Sequence, residues 1–255
     1  MSAPGPSGHR PAVWRTGPVL AGVALAVMLL AVGATQQPRV MAHIAGYVPM
    51  AGSAVAQEAP PADPSMAGVD PIIDDFQRDS LGDGWHIYNG NAGIVNGELG
   101  IVNKSGPMLG LGILAWQGAV LSADQFSEAV VAPDKDPDAL LQVFVRRRTS
   151  DNQRYGFHWN PYAGGRWELK RDGGTPGIVL TTLAAPQRPG PGDVLRIEVV
   201  GSQITGIYNG NVMLTASDTD LTDAGQPGLA LNIGLLTHLP AAFVTRWSGG
   251  SLSTS

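Results

Sequence analysis

Along residues 154–174 apolar and polar side chains alternate with a period of two on both sides of a turn. Tyr155, Phe157 and Trp159 alternate with Gly156 and His158, the segment Asn160-Pro161-Tyr162-Ala163-Gly164-Gly165 intervenes, and Trp167 and Leu169 then alternate with Glu168 and Lys170. This pattern predicts a long β-hairpin with its rings on one face. An isolated hairpin is marginally stable, so those rings require a second apolar sheet opposite them.

The same alternation recurs along the chain. Residues 140–148 place Leu141, Val143 and Val145 on one face and Gln142, Phe144 and Arg146 on the other, and the first set is expected to be core. Residues 72–76, 85–87, 126–131, 177–183, 194–200, 229–233 and 242–247 read as further strands, and 113–116 as a buried one. Asn96-Gly97 and Asn209-Gly210 each stand between apolar strands, the strongest short-range signal for a tight hairpin. About a dozen short strands with turns every 8–12 residues or so predict a sandwich or barrel. No long amphipathic helix and no internal repeat is evident.

The N-terminal third departs from this pattern. Residues 1–17 contain Arg10 and Arg15 and no acid, and residues 18–34 (PVLAGVALAVMLLAVGA) form an uncharged apolar run. Residues 1–34 therefore have the layout of a signal peptide or an uncleaved membrane anchor, with a buried core helix as the third reading. Either of the first two carries the rest of the chain across a membrane, giving a secreted or extracytoplasmic protein, membrane-bound only through residues 18–34. Residues 35–71 are read as a Pro/Ala-rich linker, most evident in QEAPPADPSMAGVDP from Gln57 on. The ordered domain is expected at 72–252.

Composition agrees with an all-β body: 34 Gly and 20 Pro beside only 15% charged residues suit short strands and tight turns. Three of the 16 Lys and Arg residues, Arg10, Arg15 and Arg39, precede the first acid, Glu58, so the remainder balances 13 basic against 21 acidic residues, a net −8. An acidic body argues against nucleic acid as a partner. With no cysteine, disulfides, thiol catalysis and Cys-type zinc sites are excluded.

Several segments together resemble one superfamily. They are Asp75-Phe76 with Trp85, Val95-Asn96-Gly97-Glu98-Leu99, the strand pair of 155–170, residues 196–202 with Tyr208-Asn209-Gly210-Asn211, and the closing run 242–247. In order and spacing, residues 72–252 resemble the laminin-G-like and concanavalin A-like lectin/glucanase jelly rolls. The resemblance implies an all-β, two-sheet antiparallel jelly-roll sandwich with adjacent first and last strands, whose concave sheet often holds carbohydrate. Glucanases of this superfamily carry an E-x-D-x-E carboxylate triplet and legume-type lectins a metal loop of Asp and Asn. Neither is matched in this chain.

Candidate chemistry follows from the hairpin. If its rings face the core, His158, Arg166, Glu168 and Lys170 face outward, and Gln142, Phe144 and Arg146 join them if that strand is a neighbour. A flat ring among imidazole, carboxylate and guanidinium groups suits sugar recognition. Phe144, Arg146, His158, Tyr162, Arg166 and Glu168 are accordingly the candidate ligand-binding residues, with Tyr162 at the turn tip either stacking on a ligand or covering the sandwich end. The ordinary alternative is a solvated face with charges paired across strands. Glu168 and Glu198 are the one acid/base pair weighed for glycoside hydrolysis, which requires the two some 5–10 Å apart. His86, His158 and His238 lack metal-ligand spacing. Asp218, Asp220 and Asp223 raise calcium, against simpler Asx-turns. No catalytic residue, metal ligand or cofactor is assigned. The expected function is an exported, non-catalytic recognition domain whose partner is a glycan or cell-surface component. The alternatives are a divergent glycoside hydrolase of the same fold and a structural or adhesion domain of the cell envelope.

Overall fold

A computed structural model describes residues 71–253, apart from 104–109, 134, 136–138, 162–163, 174–176, 186–187 and 234–238. The chain divides into units Met1–Ala56 and Gln57–Ser255, and all described residues belong to the second. The expected export segment and the linker before Pro71 lie outside the described residues, as do Tyr162 and His238.

The period-two segments all form strands. In chain order they begin with β1 (Ile72–Asp74), β2 (Trp85–Gly90), β3 (Ala92–Val95), β4 (Glu98–Ile101) and β5 (Leu111–Trp116). Next come β6 (Gln125–Val131), β7 (Leu140–Arg147), β8 (Arg154–Asn160), β9 (Arg166–Asp172) and β10 (Ile178–Ala184). The series closes with β11 (Val194–Val200), β12 (Gln203–Tyr208), β13 (Asn211–Ser217), β14 (Gln226–Asn232) and β15 (Ala241–Ser251). One sheet of eight strands runs β13-β12-β11-β6-β15-β4-β3 with β1 also on β15, and one of seven runs β10-β9-β8-β7-β14-β5-β2. All strand pairs are antiparallel.

Turn chemistry explains two of the hairpins. Asn96 and Gly97 have φ of 54° and 79°, Asn209 and Gly210 have 48° and 75°, and a two-residue turn matching the strand twist needs positive φ at both places. The first and last strands pair as expected, Ile72 with Gly249 and Asp74 with Trp247.

The two sheets enclose one apolar core. Leu141, Val143, Val145, Tyr155, Phe157, Trp167 and Leu169 of the seven-stranded sheet meet Leu195, Ile197, Val199, Phe243 and Trp247 of the other, all buried. Phe157 stacks on Trp167 at 4.9 Å, and Trp167 meets Tyr208 at 4.7 Å. Gly206 of β12 makes room for this stack, because a Cβ there would stand 2.5 Å from the Phe157 ring. At the other end Trp85, Trp116 and Trp247 pack within 4.7 to 5.8 Å of one another. Asp74 fastens that end: it accepts from Trp85 Nε1 at 2.7 Å, from both Arg78 terminal nitrogens at 2.7 and 2.6 Å, and from the Phe76 amide at 2.9 Å.

The alternation fails at one place in β7. Pairing with β14 shifts register between Gln226 and Gly228, and Arg146 has φ 50°. The residue passed over on β14 is Pro227, which has no amide proton to offer a ladder, and a bulge is where a central strand accommodates proline. Beyond the bulge every side chain changes face, which alters the candidate site.

Candidate functional site

Five residues form a second apolar cluster on the outer face of the seven-stranded sheet. Ala115 of β5, Phe144 of β7 and Ala230 of β14 are buried there, with Tyr88 of β2 and Ile113 of β5 against them. Pairing produces the cluster, since Phe144 lies opposite Gly228 and Gln142 opposite Ala230 on β14, while Ala230 lies opposite Ile113 on β5. Tyr88, Ile113 and Ala230 of the cluster line a groove of about 410 Å³, while Ala115 and Phe144 stay fully buried, and its wall includes Gln142, Arg154, His158, Lys170, Asp172 and Asn232.

Three strands hold one polar network beside that cluster. His158 stands opposite both Gln142 and Glu168, and all three are buried. His158 Nε2 is 3.3 Å from Glu168 Oε2, so this nitrogen carries the proton and Nδ1 accepts from Gln142 Nε2 at 3.3 Å. Gln142 Nε2 also donates to Asp172 Oδ2 at 2.7 Å. Glu168 Oε1 accepts from Arg166 Nε at 2.5 Å and from Asn160 Nδ2 at 3.1 Å. Hydrogen bonds from His158 above all, then from Arg166 and Asn160, hold the Glu168 carboxyl down at about 2 against the opposing effect of burial. Burial alone would raise Asp172, but the Gln142 hydrogen bond and the nearby cations prevail and lower it. Both carboxylates are therefore ionised at neutral pH. Gln142 Oε1 makes no hydrogen bond to the described residues.

Four of the expected site residues meet on this face. Phe144 lies fully buried in the apolar cluster, His158 and Glu168 belong to the network, and Arg166, its side chain 40% exposed, pairs with Glu168. Tyr162 lies outside the described residues. Arg146 is a correction: the bulge takes it off the groove face. Its Nε donates to Ala123 O and its Nη1 to Leu221 O, both at 2.7 Å, while its amide donates to Gln125 Oε1 at 3.1 Å. It ties neighbouring loops together while 2% exposed. Arg147 takes the outward position, its guanidinium carbon 3.0 Å from the Tyr88 ring centroid.

Sequence reasoning also missed Tyr88, Ile113, Arg154 and Ala230. A signal for two of them was present: β5 (LGILAW) and β14 (QPGLALN) carry apolar residues on both faces, which implies that neither face is freely solvated. A larger cavity, about 470 Å³, lies beside Asp74, Arg78, Trp85 and Trp116, but Asp74 and Arg78 are spent on each other there.

No family model and no curated protein matches the chain in sequence. Among solved structures it is similar to the endo-beta-1,3-glucanase from Pyrococcus furiosus, at 16% identity and TM-score 0.53 over 72% of this chain and 94% of that one. It is likewise similar to a Bacillus subtilis protein of unknown function with a galectin-like fold, at 11% identity and TM-score 0.52 over 72% and 96%. A third is the Ca2+-bound exoplasmic/lumenal domain of VIP36, at 10% identity and TM-score 0.50 over 72% and 91%. The fold is the concanavalin A-like jelly roll.

Within this jelly roll the weighed acid/base pair is separated. Glu168 faces outward from β9 of the seven-stranded sheet and Glu198 from β11 of the eight-stranded one. Sheets pack about 10 Å apart before side chains are added, so the two carboxylates stand on opposite outer surfaces of the sandwich, beyond the reach a glycosidase requires. Glu168 and Asp172, the two carboxylates of the groove face, are four residues apart on one strand, about 13 Å at the backbone. Two of the three aspartates after β13, Asp218 and Asp220, are engaged by protein groups. Asp218 accepts from Tyr155 Oη at 2.6 Å, from Arg171 Nη1 at 3.1 Å and from the Asp220 amide at 2.8 Å, an Asx-turn, while Asp220 also pairs with Arg171. Among the described residues no three His or carboxylate groups converge as metal ligands. No helix among them is long and apolar enough to cross a membrane.

Proposed function

We propose that this jelly roll is a recognition domain that binds carbohydrate in the outer groove of its seven-stranded sheet. The observation that carries this is the apolar cluster on the outer sheet face, ringed by Gln142, His158, Asn232 and Asp172 in one concave site. A sugar ring has an apolar face and a belt of hydroxyls, and a low apolar floor within an edge of amide, imidazole and carboxylate groups complements both. The likeness to a glucanase and to the exoplasmic/lumenal domain of VIP36 supports the fold's suitability for such a groove. Non-catalytic binding is favoured over hydrolysis because Glu168 has both oxygens occupied and no second carboxylate among the described residues is near enough to share a bond with it. Export of the protein and a glycan partner at a cell surface complete the proposal, motivated by residues 1–34.

The test is a glycan array probed with the full chain, followed by titration of any ligand found. Gln142→Ala breaks the network and removes the Oε1 acceptor, and it is expected to weaken binding about tenfold. An array with no bound glycan would rule the proposal out, and reducing-sugar release from a polysaccharide would replace it with hydrolysis.

A further inference from the structure

Arg154 stands at one end of the groove with no carboxylate hydrogen-bonded to its guanidinium, and Arg147 lies close enough to act on its charge. Arg154, which lines the groove, is 7% exposed, and its one hydrogen bond runs from Nη1 to the Asn152 carbonyl at 3.2 Å. Its Nε is buried with no partner, and its Nη2 makes no hydrogen bond to the described residues. Arg147, 1% exposed, donates to Gln226 Oε1 at 3.0 Å and to Asn152 Oδ1, and its Nε is also without a partner. Every hydrogen-bond acceptor these two guanidinium groups meet among the described residues is neutral, and the Asp172 charge acts on Arg154 without a hydrogen bond. The nearest carboxylate, Asp172, is already engaged by Gln142 and by Lys170 Nζ at 3.3 Å.

Buried charges are ordinarily paired, because taking a charge out of water without a counter-charge is costly. Here Arg154 and Lys170 line the groove with one carboxylate, Asp172, in a body whose residues from Glu58 onward carry a net −8. Stacking relieves part of the cost: Arg147 covers Tyr88, and the Arg154 guanidinium carbon is 5.2 Å from the Phe144 ring centroid. Burial nevertheless lowers the pKa of both guanidinium groups; for Arg154 the Asp172 charge opposes this and Arg147 adds to it.

We propose that the ligand is an acidic glycan and that the arginine end of the groove takes the carboxylate of a uronate unit. This rests on the carbohydrate reading of the same groove and gives it a substrate class. The Nε of Arg154 is buried, so the ligand carboxylate meets the guanidinium at Nη2, a charge-assisted hydrogen bond, and it adds a second anion beside Asp172. Neutral hydroxyls of the neighbouring sugar then fall to Gln142 and Asn232.

The experiment titrates the full chain with oligogalacturonate, oligoglucuronate and alginate oligosaccharides, and with the carboxyl-reduced, neutral counterpart of each. At least one acidic oligosaccharide is expected to bind about tenfold or more tightly than its reduced form. That preference should shrink as salt is raised and vanish in Arg154→Gln. Equal binding of acidic and reduced forms, or binding of neutral glycans alone, overturns the acidic-ligand inference and leaves the carbohydrate reading standing. If no saccharide of either kind binds, both fall. The comparison of paired oligosaccharides on the native protein decides the matter even if Arg154→Gln fails to fold.

Discussion

Glu168 accepts hydrogen bonds on both oxygens inside the wall of the groove, and its carboxyl lies at about 2 in the folded protein against an ordinary 4.5. Because the folded value is the lower one, the ionised carboxylate stabilises the fold at neutral pH, and that contribution is lost as pH falls from about 4.5 towards 2. Asp74 adds in the same direction: burial would raise it, but hydrogen bonds from Arg78, Trp85 and Phe76 outweigh burial and lower it. Thermal unfolding of the native protein should therefore show a melting temperature that drops over this acid range. Glu168→Gln should be less stable than the native protein at pH 7 and lose less on acidification. Parallel pH profiles for the two would show that the Glu168 hydrogen bonds contribute nothing to stability.

At the scale of the elements, the groove depends on how β7, β8 and β9 lie together. Gly156 of β8 is what lets the Gln142 amide lie across the sheet, since a Cβ there would stand 2.5 Å from its Cδ and Nε2. Gly156→Ala should displace that amide from His158 and Asp172. Stability should change by less than about 1 kcal/mol, because the displaced group is the far end of a flexible side chain. Ligand titration should show a loss like that of Gln142→Ala, and unchanged affinity would show that the orientation of Gln142 is immaterial. The aromatic alternation of β8 and β9 was legible in the sequence, because a half-buried strand writes its two faces directly into period-two order. So were the hairpins at Asn96-Gly97 and Asn209-Gly210, where the turn geometry demands those residue types. The placement of Arg146 was not legible, because it depends on Pro227 lying across from it in a strand 81 positions later. The floor was hidden for a similar reason: β14 and β5 are inserted beside β7 by a topology that no local pattern encodes.

At the scale of the whole molecule, the sandwich closes through β15, which pairs with β6 on one side and with β4 and β1 on the other. Trp247 sits in this seam, fully buried against Trp85 and Trp116, and donates from Nε1 to Ser127 Oγ at 3.0 Å. Trp247→Ala should cost about 3–5 kcal/mol through lost burial and the cavity left behind. Ending the chain before Ala241 should abolish cooperative unfolding altogether, since it removes the strand on which three others pair. A cooperative transition at the parent temperature in the truncated chain would show that β15 is an appendage. The same seam has a mechanical consequence. Because Ile72 lies across from Gly249, a force drawing residues 71 and 252 apart acts at one end of an antiparallel pair. It would peel β1 away one rung at a time, like a zipper, rather than shear all its rungs together, so a domain anchored thermally by three tryptophans yields first under tension along a three-residue strand.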